Sequence, residues 1–226
     1  MKFKLILFDA DGTLFDFDKA EKEAFNKTMH FFGIDHNPEI LHQKYDKVNK
    51  AIWREFEQNL IGAAQLRVER FRRFFRQSGI DLDPQEVSPC YLKFLSQGTY
   101  LMPEAEEIVR YCAGKAVLAL ATNGLTDVQR PRFENSIISQ YFSHLFISEE
   151  IGFPKPGREF FDHIFQHYPF RDSAIIVGDN LSSDIQGGND AGIVTCWFNP
   201  QQQKNTGNIV PTYEIQTLTE IKVIIN

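Results

Sequence analysis

Residues 5–8, Leu-Ile-Leu-Phe, form an unbroken apolar run that ends at Asp9-Ala10-Asp11-Gly12-Thr13. Four residues are too few for a buried helix, and a continuous apolar run closed by glycine predicts a strand covered on both faces in a parallel sheet. Ligands bind beyond the carboxyl ends of such strands. Two carboxylates placed there are not ordinary core residues, because burying a charge without a partner costs about 3 kcal/mol or more. A metal ion or a reaction has to account for them.

Beyond this run the texture changes. Residues from about 17 to 97 carry helical periods, and Gly33, Gly79, Gly98 and Gly114 each follow an amphipathic stretch, where a helix would stop. From Lys115 short apolar runs return at 117–121, 145–147, 174–177 and 194–198, separated by helical segments. Strand, helix, strand repetition predicts an α/β fold, a doubly wound, Rossmann-like parallel sheet. The expected organisation is a catalytic core of residues 1–16 and 98–226, with an α-helical cap of residues 17–97 inserted after the first strand. Such a block at the sheet's carboxyl end is placed to act as a lid. With 226 residues and 42% hydrophobic content the chain can bury a sizeable core. Residues 201–207 (QQQKNTG) read as a polar surface loop.

Charge and cysteine usage narrow the partners. A formal charge of −6 and a pI near 5.5 argue against a reader of nucleic-acid polymers, which needs a basic face. Cys90, Cys112 and Cys196 are far apart and odd in number, so neither a disulfide framework nor a zinc ribbon is expected, and a reducing cytoplasm is the natural setting. No apolar stretch approaches the roughly 18 residues of a membrane span, so a soluble, unexported protein is expected. No pattern fixes an oligomeric state.

Three more polar clusters follow later strands. Thr122-Asn123-Gly124 closes the second core strand and offers a hydroxyl and backbone N–H groups to an anion, while Thr126 with Gln129 reads as a capping box. Pro131, about five positions into that helix, predicts a late start or a kink. Lys155 stands between Pro154 and Pro156, and Pro156 is expected to open the helix bearing Phe160, Phe161, Ile164 and Phe165. Finally Gly178-Asp179-Asn180-Leu181-Ser182-Ser183-Asp184 adds two carboxylates at a strand end.

The order Asp-x-Asp-Gly-Thr, Thr-Asn-Gly, Lys-Pro, Gly-Asp-x-x-x-x-Asp resembles the haloacid dehalogenase-like (HAD) hydrolase superfamily over nearly the whole chain. The helical block resembles the cap that its phosphatases insert after the first motif. Asp11, which true dehalogenases lack, moves the resemblance toward phosphoryl transfer. The stretches VNKAIW, FISEEIGFPKP and DIQGGNDAGIVTCWFN are similar to the bacterial pyrimidine 5′-nucleotidase subfamily.

The resemblance implies an Mg2+-dependent phosphomonoester hydrolase working through an aspartyl-phosphate. The Asp9 carboxylate, the Asp11 backbone carbonyl and the Asp179 carboxylate would hold the metal, with Asp184 orienting waters or Lys155. Asp9 would attack phosphorus, and Asp11, protonated beside its negative neighbour, would serve the leaving oxygen and then the hydrolytic water. Thr122, the N–H of Asn123 and Lys155 would gather the phosphoryl oxygens. The implied partner is a small phosphomonoester, a nucleoside monophosphate before phosphoglycolate or a sugar phosphate. A phosphomutase and a non-enzymatic binding protein stay open as alternatives.

Individually these residues have plainer readings. Lys155 alone reads as a surface lysine and Thr122 as the residue before a helix; only the set promotes them. His163 and His167, four apart, lack the carboxylate pattern of a zinc site and read as ordinary helix residues. Glu69, Arg72, Arg73 and Arg76 share a face opposite Val68, Phe71 and Phe75, which predicts a solvated, ion-paired surface. In the cap, Phe15, Phe17, Tyr45, Asn49 and Trp53 are the candidates to enclose the leaving group, Asn49 on the amide edge of a pyrimidine and Phe15 and Phe17 at the entrance. Ile52, Trp53 and Phe56 also fit a core stripe.

Overall fold

The apolar runs become strands because each is covered on two faces. The computed structural model describes residues 2–58 and 60–226. Its sheet contains β1 (Leu5–Phe8), β2 (Val117–Thr122), β3 (His144–Ile147), β4 (Ala174–Gly178), β5 (Val194–Phe198) and β6 (Tyr213–Ile215), all parallel, in the order β3-β2-β1-β4-β5-β6. Side chains alternate along each central strand. Ile6, Phe8, Leu118, Leu120, Ile175 and Val177 enter one apolar cluster, while Leu5, Leu7, Ala119, Ala121, Ala174 and Ile176 enter another. The α/β doubly wound sheet expected from the sequence is the fold observed; β6, three residues long, is the strand the reading missed.

Two compact units form: the segments ending at Phe17 and starting at Thr99 make one, and Asp18–Gly98 makes the other. The second unit is helical, with α1 (Phe17–Phe31) entering it, then α2 (Pro38–Glu57), α3 (Ala63–Ser78) and α4 (Pro84–Leu95). Prolines open α2 and α4, where a missing N–H costs nothing, and the Asp83 carboxylate caps α4 by accepting from the Gln85 N–H at 2.8 Å. The centre of this unit is aromatic: Tyr45 stacks on Phe25 and Phe71, with ring centroids 4.6 and 5.4 Å apart, and Phe74 and Tyr91 meet it edge-on. Arg73 pairs with Glu55 at 2.5 and 2.9 Å and Arg72 with Glu69, the solvated face expected. Arg70, in the same run, turns inward and donates from Nε to the Leu66 carbonyl at 3.2 Å.

In the α/β unit, α5 (Ala105–Ala113) lays Ile108, Val109 and Cys112 on one sheet face. Next come α6 (Thr126–Glu134), α7 (Ser148–Ile151), α8 (Arg158–His167), α9 (Gln186–Asp190) and α10 (Ile221–Ile225). Phe160, Phe161 and Ile164 of α8 are fully buried on the opposite face, a gross contribution of about 5–9 kcal/mol. Two local expectations are corrected. Pro156 does not open α8, which starts at Arg158; Gly157 intervenes and the Lys155–Pro156 peptide is cis. α6 starts at Thr126 and runs through Pro131, whose carbonyl accepts from the N–H and Nδ2 of Asn135 at 3.1 and 2.7 Å.

The chain leaves β1 and later returns toward α5 along a shared ladder. The Asp16 N–H donates to the Tyr100 carbonyl at 3.0 Å, the Met102 N–H donates to the Leu14 carbonyl at 2.9 Å, and Phe15 bridges Leu101 in antiparallel fashion.

Candidate active site

Phe8 pairs with Leu120 on one side and Val177 on the other, so Asp9 emerges between the carboxyl ends of β2 and β4. Lys155, on the loop before α8, reaches the same point. Its Nζ donates to Asp9 Oδ1, Asp184 Oδ1 and the Ala121 carbonyl, each at 2.6 Å, which uses all three ammonium donors. At 2% exposure it is no surface lysine. Its backbone is fixed by Asn123, whose amide accepts from the Lys155 N–H and donates to the Lys155 carbonyl, both at 2.8 Å. Thr122, also buried, accepts the Gly124 N–H at 3.0 Å and shapes the turn.

Asp179 follows β4. Thr13 Oγ1 lies 3.4 Å from both Asp9 Oδ2 and Asp179 Oδ1, and Trp197 Nε1 donates to the Asp179 carbonyl at 2.9 Å. A π-type turn, Leu181–Ile185, is capped by Asn180, which accepts from the Ser182 and Ser183 N–H groups and brings Asp184 back to its own N–H at 3.1 Å. Two glycines permit the crowding: a Cβ on Gly12, at φ 80°, would stand 2.5 Å from Asp179 Oδ2, and one on Gly178 would overlap the Asp184 carboxylate.

Electrostatics follow from this packing. Burial raises Asp9 to about 7; Lys155 opposes the rise and Asp184 adds to it. Burial alone would lower the Lys155 ammonium, but Asp184 and Asp9 hold it above the ordinary lysine range. Although solvent reaches part of Asp179, desolvation followed by the charges of Asp9 and Asp184 pushes its carboxyl well up. Asp9, Asp179 and Asp184 each bring an oxygen within 4.8 Å of the others. Three carboxylates against one ammonium leave an excess of negative charge, and an all-oxygen donor set suits a hard cation such as Mg2+.

Asp11 is held from α6. Gln129 Nε2 donates to its Oδ2 at 2.6 Å and Arg132 Nη2 donates to its Oδ1. The sequence reading used Gln129 for a capping box with Thr126; instead Leu125 is the N-cap, and the Thr126 N–H donates to Glu149 at 2.8 Å. Gln129 and Arg132, three apart on one face of α6, were missed. That spacing was the available signal.

The leaving-group candidates are divided between the two units, Phe15 and Phe17 in one and Tyr45, Asn49 and Trp53 in the other. Phe15 is a core residue beneath Arg132, 5.0 Å from the guanidinium carbon to the ring, and does not line an entrance; Phe17 is half-buried at the start of α1. Tyr45 and Asn49 are buried, Tyr45 among the aromatic rings of the helical unit and Asn49 accepting from Arg70 Nη1 at 3.4 Å. Trp53 is half-buried against Phe56, their centroids 5.6 Å apart. His163 and His167 pack with His144 around Phe146.

The haloacid dehalogenase-like hydrolase family matches residues 3–192. The chain belongs to this family. It is 32% identical to the HAD-hydrolase YfnB of Bacillus subtilis over all of this chain and 96% of that protein. A magnesium-bound crystal structure of YfnB superposes with a TM-score of 0.93, covering 100% of both chains. The chain is also 33% identical to the pyrimidine 5′-nucleotidase PynA of Streptococcus pneumoniae, over 98% of this chain and 94% of that protein. It is 30% identical to the pyrimidine 5′-nucleotidase YjjG of Escherichia coli, over 100% and 99%. The chain is thus a hydrolase of the HAD family.

Proposed function

We propose that the protein is an Mg2+-dependent 5′-nucleotidase that removes phosphate from pyrimidine nucleoside monophosphates through an aspartyl-phosphate on Asp9. The observation that carries this reading is the buried Lys155 ammonium held by Asp9 and Asp184 beside Asp179 at adjacent strand ends. Likeness to PynA and YjjG supplies the nucleotide.

Phosphate monoesters are dianions, so attack by a carboxylate needs charge compensation and positioning. Lys155 supplies a fixed cation. The carboxylates of Asp9 and Asp179, with the Asp11 backbone carbonyl, are the ligands assigned to Mg2+, and Asp184 orients Lys155 beside them. When bound, the cation neutralises charge on the phosphoryl oxygens. Asp9 attacks phosphorus as the ester bond breaks, and the departing oxygen takes a proton from Asp11. Water then attacks the aspartyl-phosphate, Asp11 takes its proton, and Asp9 is restored. Thr122 and the Asn123 N–H stand at the carboxyl end of β2, where they are assigned to the phosphoryl oxygens. The Asp18–Gly98 unit is assigned the part of a cap that selects the leaving group.

The setting proposed is the cytoplasm. The three cysteines are free thiols, and among the described residues no helix is long and apolar enough to cross a membrane.

The test is phosphate release from pyrimidine and purine monophosphates, sugar phosphates and phosphoglycolate, with Mg2+ and with chelator, for wild type and Asp9→Asn. Release from pyrimidine nucleotides that requires Mg2+ and vanishes in the variant supports the reading. Preference for another ester overturns the substrate, and isomerised product without free phosphate overturns hydrolysis.

A further inference from the structure

We propose that Arg132 and Gln129 are positioning residues that fix the Asp11 carboxyl for proton transfer to the leaving group, an inference that rests on the phosphomonoesterase reading above. The two grip Asp11 from opposite oxygens and are tied to each other, Arg132 Nη2 donating to Gln129 Oε1 at 2.8 Å. With both partners seated, the plane of the carboxyl is set rather than free to rotate. Asp11 keeps 27% of its side chain open to solvent, and each carboxyl oxygen has a second lone-pair position beside the one in use; as the acid, Asp11 carries its proton at one of these on the open side, where the leaving oxygen can take it.

Stability is a poor reason for this arrangement. Arg132 is 0% exposed, yet its Nε and Nη1 have no hydrogen-bond partner among the described residues. Burying a guanidinium so incompletely bonded is unfavourable, and an apolar side chain would fill the place over Phe15 at lower cost. What the arginine alone provides is its grip on Asp11. Gly124 reinforces the point, since a Cβ there would stand 2.6 Å from Gln129 Cγ: the turn assigned to phosphate and the clamp on Asp11 are packed as one piece.

In the first step the P–O bond to the leaving oxygen breaks with its electron pair, and the proton passes from Asp11 to that oxygen. An alkoxide such as a nucleoside 5′-oxygen needs this proton; p-nitrophenolate leaves without it. First-turnover rates are therefore compared for uridine 5′-monophosphate and p-nitrophenyl phosphate in wild type, Arg132→Met, Arg132→Lys and Gln129→Leu. The expected result is an about 10- to 100-fold loss on the nucleotide in Arg132→Met, with less than about 3-fold loss of the p-nitrophenolate burst. Arg132→Lys restores part of the nucleotide rate, and Gln129→Leu shows the same selectivity for the poor leaving group. Should Arg132→Met fail to fold by circular dichroism, the other two variants decide. Parallel losses on both esters, or no loss on the nucleotide, overturn the inference while leaving the function intact. No release by wild type from either ester overturns both.

Discussion

Lys155→Met tests the centre of the site. The substitution keeps the length of the stem but removes three 2.6 Å hydrogen bonds, leaving Asp9, Asp184 and the Ala121 carbonyl without their shared donor. Breaking one side of a buried ion pair costs about 3–5 kcal/mol. For a chain of this size about 2–4 °C of melting temperature corresponds to each kcal/mol, so a fall of about 6–20 °C is expected without Mg2+. The sign of its pH dependence follows from Asp9. Already raised to about 7 by burial, this carboxyl rises further when its cation is removed, so the native state binds the proton more readily than the unfolded chain. Stability then falls as pH rises from the ordinary carboxylate range through the folded value, and the deficit of the variant is larger at pH 8 than at pH 5. Thermal melts by circular dichroism at both pH values check this. A cycle with Asp184→Asn adds a second reading, because neutralising one orphaned carboxylate recovers part of the loss. A melting temperature within 2 °C of wild type at both pH values, or an equal loss in the Asp184→Asn background, refutes the reasoning.

Gly178→Ala drives a methyl group into Asp184 and is expected to lower phosphate release about 100-fold while the far-ultraviolet spectrum stays native. Titrating Mg2+ while following the melting temperature is expected to stabilise wild type by about 2.7 kcal/mol at one hundred times its dissociation constant, and Asp179→Asn is expected to need at least about tenfold more Mg2+ for the same shift. In the helical unit His42 lies 2.7 Å from buried Glu21, and that hydrogen bond raises the imidazole above its ordinary 6.5. Its contribution, about 1.5–3 kcal/mol, is complete below 6.5 and is lost as pH passes the raised value, so urea midpoints of wild type and His42→Gln should differ at pH 5.5 and converge at high pH.

The sheet and its carboxylates were legible because local sequence and tertiary role coincide there. Leu5 to Phe8 is apolar at every position, as only a strand covered on both faces requires, and the polar groups that matter follow their strands within a few residues. Asp9, Asp179, Asp184 and Lys155 could be read as a set in this way. The leaving-group candidates could not. A buried aromatic stripe and a binding pocket share one helical period, so Tyr45 and Asn49 had the same signature whether they faced a ligand or their own core. Phe15 misled by position: close in sequence to Asp9, it turns into the core under a guanidinium. Arg132 was hidden for the opposite reason. A charged residue in a helix reads as solvated, and only the approach of Asp11 from a distant segment makes burial tolerable. Gln129 had a local explanation as a cap, and a tertiary hydrogen bond displaced it.

The short ladder that joins Leu14–Asp16 to Tyr100–Met102 gives the helical block an architectural independence. Outgoing and returning strands are already fastened together on the α/β side, so the α/β unit meets the whole of Asp18–Gly98 as it would meet a hairpin loop, with the closure already made. Asp9, Lys155, Asp179 and Asp184 all lie in the α/β unit, outside the segment inserted between those two stretches. A graft between relatives at Phe17 and Thr99 would therefore join the new block next to residues that the α/β unit already holds together.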